Sequence, residues 1–129
     1  MESATVLVAD DEALLLLEFE GALTDAGFLV LAVTNGERAI ELLNSADSEI
    51  AGVVTDIRFG KPPDGWEVAR VAREADPDMP IVYISGHGFL DWQAKGVSNS
   101  IMLEKPFPLA ELVTTVSQML DDRPPLPSA

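Results

Sequence analysis

Short apolar runs alternate with amphipathic stretches along most of this chain, and this alternation limits the fold more than any other feature. Parallel strands need a crossover connection, commonly a helix, so such an alternation is typical of an α/β fold. We therefore expect a five-stranded parallel sheet with helices on both faces. Apolar runs rich in β-branched residues predict strands at residues 5–9, 28–33, 51–55, 79–84 and 100–103. Apolar residues at helical spacing predict helices at residues 12–26, 36–46, 66–75, 90–95 and 109–120.

Length and charge limit the kind of protein this can be. With 129 residues, the chain fits one domain with one core, which we place at residues 4–121. Residues 122–129 contain three prolines and are expected to form a flexible tail. The formal net charge of -14 disfavours direct binding to nucleic acid or to an anionic membrane surface. The absence of cysteine excludes disulfides and thiolate metal sites.

The N-terminal residues carry no basic segment, and every apolar run is far shorter than the ~20 residues that cross a bilayer. We therefore expect a cytoplasmic protein.

Polar side chains follow four of the predicted strands. Asp10 and Asp11 follow the first, Asp56 the third, Ser85 the fourth and Lys105 the fifth. An isolated aspartate after a strand is more often a turn former or a helix cap. In a parallel α/β sheet, however, ligands bind beyond the carboxyl ends of the strands, where these five residues should meet. The sequence therefore predicts a site at this edge of the sheet.

The expected charge of this site indicates a metal ion. Two like charges ~4 Å apart repel by roughly 4 kcal/mol at an effective dielectric constant near 20, so three adjacent carboxylates need a counter-charge. Carboxylate oxygens select a hard cation, and a site with few protein ligands suits Mg²⁺. Lys105 can add a second positive charge, of the kind that lysine commonly presents to phosphate. Ser85 can add a hydroxyl donor, and Gly86 leaves space beside it.

Four segments of the chain together resemble the response-regulator receiver family, the CheY-like domains of two-component signalling systems. They are VLVADDE at residues 6–12, VVTDIR at 53–58, YISGHG at 83–88 and EKPF at 104–107. The resemblance covers about residues 4–121. The sequences of these segments are similar to those of alphaproteobacterial single-domain regulators and of receivers in hybrid histidine kinases. The resemblance implies a flavodoxin-like (βα)5 fold with strand order 2-1-3-4-5.

The resemblance also implies roles for the site residues. Asp56 matches the phosphoacceptor, Asp11 the direct Mg²⁺ ligand and Asp10 a ligand that acts largely through water. The backbone carbonyl of Arg58 would complete the metal site.

In the same comparison, Ser85 and Lys105 match the residues that contact the phosphoryl group. Such a domain catalyses its own phosphorylation and dephosphorylation, without turnover of a separate substrate.

The resemblance further implies partners. A sensor histidine kinase or a histidine phosphotransfer protein would donate the phosphoryl group, and a downstream effector protein would read a change at the face formed by the fourth helix, fifth strand and fifth helix. Because the chain ends soon after the last predicted helix, we expect no output domain. We expect a monomer or a weak dimer.

Three features depart from the family pattern or vary within it. Met102 stands three residues before Lys105, where the family usually has a switching aromatic; a thioether could still repack there, or it could be plain core. The loop at residues 59–65 is one residue longer than in many members. Arg58 and His87 stand where side chains flank the phosphoryl group, so they either tune its hydrolysis or are solvated loop residues.

Other functions remain open at this stage. The chain could be the receiver of a hybrid histidine kinase acting in a phosphorelay. It could be a flavodoxin-like cofactor binder, although Asp10 and Asp11 would repel a phosphate after the first strand. It could also be a Mg²⁺-dependent phosphatase with an aspartate nucleophile, although such enzymes usually have a second acid where this chain has Arg58.

Overall fold

A computed structural model describes residues 3–45, 47–86 and 89–123. Strands and helices alternate along the whole described chain, as the sequence predicts. The strands are β1 (Thr5–Ala9), β2 (Leu29–Val33), β3 (Ile50–Asp56), β4 (Ile81–Ser85) and β5 (Ile101–Glu104). The helices are α1 (Ala13–Asp25), α2 (Gly36–Leu43), α3 (Gly65–Ala75), α4 (Phe89–Lys95) and α5 (Leu109–Asp121).

The strands form one parallel sheet in the order β2-β1-β3-β4-β5, which confirms the expected fold class and strand order. The chain order reverses at β1, because β2 lies on one side of it and β3 on the other. Ala9 is the register partner of Thr55, so β1 and β3 end side by side. Loops that leave these two ends must therefore border one crevice.

Two apolar layers sandwich the sheet. Along β1, Leu7 and Ala9 belong to one layer while Val6 and Val8 belong to the other, as the two-residue period of a strand requires. The first layer is covered by α2 and α3, through Ala39, Leu43, Val68, Ala69 and Ala72. The second layer is covered by α1 and α5, through Leu16, Phe19, Leu23, Leu112 and Val116. The central strands are thus buried on both faces, which explains their uninterrupted apolar sequences.

Local signals in the sequence account for several element ends. Gly27 follows α1 with φ +100, a left-handed conformation in which glycine is favoured. The side chain of Asn35 accepts a hydrogen bond from the Arg38 N–H at 2.8 Å and caps α2. Asp64 caps α3 in the same way, and its side chain accepts from the Glu67 N–H at 3.0 Å.

Two predicted ends differ from the observed ends by more than one residue. Helix α2 ends at Leu43 rather than at residue 46, because the Ser48 hydroxyl donates to the carbonyl oxygens of Leu42 and Ser45 and turns the chain. Residue 46 itself lies outside the described residues. Strand β4 begins at Ile81 rather than at residue 79, because the Met79 N–H donates to the Asp76 carbonyl in a turn.

The other ends agree with the prediction or differ by one residue, within the usual uncertainty of helix and strand ends. Of the expected tail, residues 124–129 lie outside the described part of the chain. Among the helices that are described, none has the length and apolar character needed to cross a lipid bilayer.

Candidate functional site

Three aspartates meet at the carboxyl ends of β1 and β3. Asp10, Asp11 and Asp56 each place one carboxylate oxygen within 4.8 Å of the others. Asp10 is fully buried and Asp56 is 9% exposed, whereas Asp11 faces solvent. The three carboxylates that were predicted to meet at this edge of the sheet therefore lie close together in the structure.

Backbone N–H groups orient the two buried carboxylates. Oδ1 of Asp10 accepts from the Glu12 N–H at 2.8 Å, and Oδ1 of Asp56 accepts from the Ile57 N–H at 2.7 Å. Each Oδ2 then faces the same lysine. The Lys105 ammonium nitrogen lies 3.1 Å from Oδ2 of Asp10 and 3.4 Å from Oδ2 of Asp56.

Lys105 reaches this position because β5 ends directly before it. Its N–H donates to the Ser85 carbonyl at 2.8 Å, which ties the end of β5 to the end of β4. Burial lowers the pKa of the Lys105 ammonium, but the hydrogen bond to Asp10 and the charges of Asp56 and Asp10 outweigh burial and raise it overall. The ammonium therefore stays protonated at neutral pH and serves as a fixed counter-charge.

Burial is also the main influence on Asp56. It raises the pKa of the Asp56 carboxyl above its ordinary value, and the neighbouring Asp10 charge acts in the same direction. The Lys105 charge and the Ile57 N–H oppose this effect without cancelling it. A carboxylate in such surroundings gains from any additional cation nearby.

The loop after Asp56 packs tightly beneath the site. The Gly65 N–H donates to the Ile57 carbonyl at 2.7 Å, and a Cβ at position 65 would lie 2.1 Å from the Asp56 carbonyl oxygen. Only glycine allows this approach, so Gly65 fixes where α3 begins relative to Asp56. On the other side of the loop, a Cβ at Gly36 would lie 2.3 Å from the Pro63 carbonyl oxygen, so the loop also rests on the start of α2.

The acidic cluster opens into a cavity of about 690 Å³. The predicted residues Asp11, Asp56, Ser85 and Lys105 line it, and so does Arg58. Its other lining residues include three that were not predicted to belong to the site: Trp66, Asp91 and Lys95. A tryptophan within a helix normally indicates packing, and nothing in the sequence alone places α4 beside the cavity.

Two further predicted residues lie elsewhere. Met102 is the register partner of Tyr83 and packs against the core layer under α2 and α3. His87 lies outside the described residues. The structure therefore brings together the metal and phosphoryl candidates, and it places Met102, half-buried, beside β4.

A second cavity, of about 530 Å³, lies at the opposite edge of the sheet. Pro77, Met79, Ile101 and Met119 contribute apolar surface to it. It sits at the amino ends of β4 and β5, away from the crevice where parallel sheets bind ligands. The acidic cavity is thus the better candidate for the functional site.

A five-stranded parallel sheet with three carboxylates and a lysine at its carboxyl edge has groups that could hold a hard cation and an anionic ligand. The family model of the response regulator receiver domain matches residues 6–117, and the chain belongs to that family. Membership of the receiver family argues against the two alternatives left open by the sequence, a flavodoxin-like cofactor binder and a phosphatase.

Among solved structures, the chain is similar to a response regulator receiver protein from Sinorhizobium medicae. The two share 65% sequence identity with a TM-score of 0.92, over 95% of this chain and 98% of that one. A CheY-like receiver domain protein from Methanospirillum hungatei has a TM-score of 0.80 at 18% identity, over 94% of this chain and 96% of that one, which supports the fold alone.

Sequence relatives include both single-domain and larger proteins. The response regulator receiver protein CpdR of Brucella abortus is 33% identical over 89% of this chain and 95% of its own length. The sensor kinase CckA of the same organism is 32% identical over 92% of this chain, which spans only 13% of that kinase. The chain also spans 50% of the transcriptional regulatory protein CusR of Escherichia coli, at 31% identity over 89% of this chain.

Proposed function

We propose that Asp56 accepts a phosphoryl group from a histidine kinase or a histidine phosphotransfer protein, in a Mg²⁺-dependent reaction. The observation that carries this proposal is the position of the Asp56 carboxylate. It lies within 4.8 Å of two other acidic side chains and within hydrogen-bonding distance of Lys105, at the mouth of an open cavity. Asp10 shares the first two contacts, but its carboxylate is fully buried and does not line the cavity.

The chemistry is a displacement at phosphorus. A carboxylate oxygen of Asp56 forms a bond to phosphorus while the bond between phosphorus and the donor imidazole nitrogen breaks, and that nitrogen keeps the electron pair. The Ile57 N–H holds Oδ1 at 2.7 Å and so orients the nucleophile. Positioning and charge stabilisation are the main demands of phosphoryl transfer, and this site supplies both.

The donor set fits a hard divalent cation. Asp11 is exposed, and within the described part of the chain its carboxylate accepts no hydrogen bond, so its oxygens are available for direct coordination. Both oxygens of Asp10 already accept hydrogen bonds, which suits a ligand that acts through water. Asp56 and the backbone carbonyl of Arg58 would complete the protein's share. A bound Mg²⁺ would neutralise charge on the phosphoryl oxygens.

Ser85 and Lys105 would hold the phosphoryl group once it is on Asp56. Both line the cavity, and the Ser85 carbonyl accepts from the Lys105 backbone N–H at 2.8 Å, which holds the ends of β4 and β5 side by side. The Lys105 ammonium would pair with one phosphoryl oxygen and the Ser85 hydroxyl would donate to another.

The signal would leave through protein contact. We infer that α4, β5 and α5 form the face that a downstream effector protein reads, in a cytoplasmic protein that binds no nucleic acid directly. The similarity to CpdR over nearly its whole length is consistent with a stand-alone regulator, whereas the similarity to part of CckA is consistent with a hybrid-kinase receiver.

Reaction with acetyl phosphate, or binding of beryllofluoride, tests the proposal in the presence of Mg²⁺. We expect the wild type to gain one phosphoryl group by intact-mass measurement and Asp56→Asn to gain none. Asp91→Asn is the matched control, because Asp91 also lines the cavity but stands outside the acidic cluster. Equal modification of wild type and Asp56→Asn would overturn the assignment.

A further inference from the structure

The core beside Met102 contains an aromatic residue on the neighbouring strand. Tyr83 is the register partner of Met102 and is fully buried. Its ring packs against Trp66 with centroids 4.8 Å apart and an angle of 59° between the ring planes. Because Trp66 lines the acidic cavity, Tyr83 lies directly behind a wall of the proposed phosphorylation site.

The Tyr83 hydroxyl contacts the turn that leads into β5. It accepts a hydrogen bond from the Val97 N–H at 3.1 Å. Burial raises the pKa of this hydroxyl, so it remains neutral and keeps its proton at physiological pH. The phenol therefore links the cavity wall to the turn between α4 and β5.

The same turn is held from its other side by α4. Trp92 donates from Nε1 to the Ser100 hydroxyl at 2.9 Å, and that hydroxyl donates to the Val97 carbonyl at 2.6 Å. A Cβ at Gly96 would lie 2.4 Å from Cδ1 of Trp92, so glycine is needed for the indole to lie this close to the turn. Both backbone polar groups of Val97 are thus tied, one to β4 and one to α4.

We propose that Trp66, Tyr83, Val97, Ser100 and Trp92 form an aromatic relay that holds α4 in its unmodified position and changes its contacts when Asp56 carries a phosphoryl group. This inference rests on the proposed function of Asp56. Ser85, which would contact the phosphoryl group, is two residues beyond Tyr83 on the same strand. Strand β4 therefore carries both the proposed phosphoryl contact, at Ser85, and the phenol that restrains the turn after α4, at Tyr83.

On β5, Met102 stands where the family usually has a switching aromatic. The relay would instead place the coupling between the site and α4 on residues of β4 and α4. A contact that exists in one of two states biases the equilibrium between them, and its loss favours the other state. Removal of a relay hydrogen bond should therefore favour the modified state and tighten binding of a phosphoryl analogue. One net hydrogen bond corresponds to a change of about fivefold in an equilibrium constant.

Trp92 fluorescence gives the first test. In a Trp66→Phe background, which keeps an aromatic ring against Tyr83, Trp92 is the only tryptophan. We expect its emission maximum to shift when beryllofluoride and Mg²⁺ bind, and to stay unchanged in the same background with Asp56→Asn. An unchanged spectrum while calorimetry records binding would overturn the relay.

Ligand affinity gives the second test. We expect Tyr83→Phe and Ser100→Ala each to bind beryllofluoride about fivefold more tightly than wild type, with less than the product of the two effects in the double variant, because both act on Val97. Val116→Ala is the control, because Val116 is buried in the opposite core layer. Its affinity should equal that of wild type.

The outcomes separate the two proposals. If wild type binds beryllofluoride but the relay variants bind with wild-type or weaker affinity, the relay is wrong and the assignment of Asp56 stands. If wild type binds none, the phosphoacceptor assignment fails and the relay fails with it. Should Tyr83→Phe not fold, Ser100→Ala decides the question.

Discussion

The Lys105 ammonium nitrogen lies 3.1 Å from Oδ2 of Asp10, a fully buried carboxylate. Its distance to Oδ2 of Asp56 is longer, 3.4 Å. Lys105 therefore pairs with both carboxylates and lies closer to Asp10 than to the proposed phosphoacceptor. Charge neutralisation of Asp10 by a divalent cation would leave the lysine free to turn towards a phosphoryl group on Asp56.

The raised pKa of the Asp56 carboxyl predicts a pH-dependent effect of Asp56→Asn on stability. A carboxyl whose pKa is higher in the folded than in the unfolded protein is most favourable to folding below the unfolded value, here 3.8. This contribution is lost as the pH rises through the folded value. We therefore expect Asp56→Asn, measured without divalent ions, to be more stable than wild type at pH 7 by roughly 1–3 kcal/mol.

Urea unfolding between pH 4 and pH 8, in the presence of a chelator, measures this difference. The advantage of Asp56→Asn should shrink towards pH 4, where the wild-type carboxyl gains its proton. Asp91→Asn removes an exposed charge at the rim of the same cavity and should show no such trend. A stability advantage that does not vary with pH would contradict the explanation.

Mg²⁺ should stabilise the folded protein through Asp11. Ligand binding to the folded state adds about 2.7 kcal/mol when the ligand is present at 100 times its dissociation constant. We expect Mg²⁺ to raise the melting temperature of the wild type by scanning calorimetry and to have little effect on Asp11→Asn. Glu12→Gln removes the adjacent exposed charge, which lies outside the three-carboxylate cluster, and should respond like wild type.

Two glycine-to-alanine changes should have opposite effects. Gly65→Ala places a Cβ 2.1 Å from the Asp56 carbonyl oxygen, so the backbone must shift, and we expect a loss of about 3 kcal/mol or more together with weaker beryllofluoride binding. Gly21→Ala lies within α1, where a Cβ meets nothing within 4 Å, and it should stabilise by roughly 0.5–1 kcal/mol. Chemical denaturation of both variants is the measurement, and equal effects would contradict the packing argument.

Arg58 provides a test of phosphate lifetime. Its exposed side chain lines the cavity, so we expect it to limit the approach of water to phosphorylated Asp56. Arg58→Ala should shorten the lifetime of the aspartyl phosphate, and the double variant with His87→Ala should shorten it further. Loss of the phosphoryl group, followed by mass spectrometry, measures this, and an unchanged rate in the double variant would remove the hypothesis.

Met102→Leu separates packing from switching. Leucine conserves volume, so stability should change by less than about 1.5 kcal/mol. If Met102 only fills the core beside Tyr83, beryllofluoride affinity should also stay unchanged. A change in affinity without a change in stability would instead indicate that the thioether itself takes part in switching.

The strand pattern made most of the fold predictable. The central strands are apolar throughout because helices cover both faces, so their sequences differ clearly from those of the amphipathic helices. The ends were harder, since they depend on single contacts such as the Ser48 hydroxyl bonds that turn the chain after α2. Such bonds become visible only when the loop path is known.

The acidic site was predictable for a related reason. Parallel strands bring their carboxyl ends together, so Asp10, Asp11, Asp56 and Lys105 could be placed at one edge from the topology alone. The role of Gly65 beneath Asp56 was not predicted. It depends on the close approach of the Gly65 backbone to the Asp56 carbonyl oxygen, which the local sequence does not indicate. The contribution of Trp66 to the cavity wall was missed because a buried tryptophan in a helix normally indicates packing only.

The contact between Gly36 and the Pro63 carbonyl also limits how the domain can be engineered or can diverge. A Cβ at position 36 would lie 2.3 Å from that oxygen. Any larger residue at position 36 would therefore displace the loop that contains Pro63. We expect that transfer of this loop to a homologue would also require glycine at the matching position. The two features should be gained or lost as a pair.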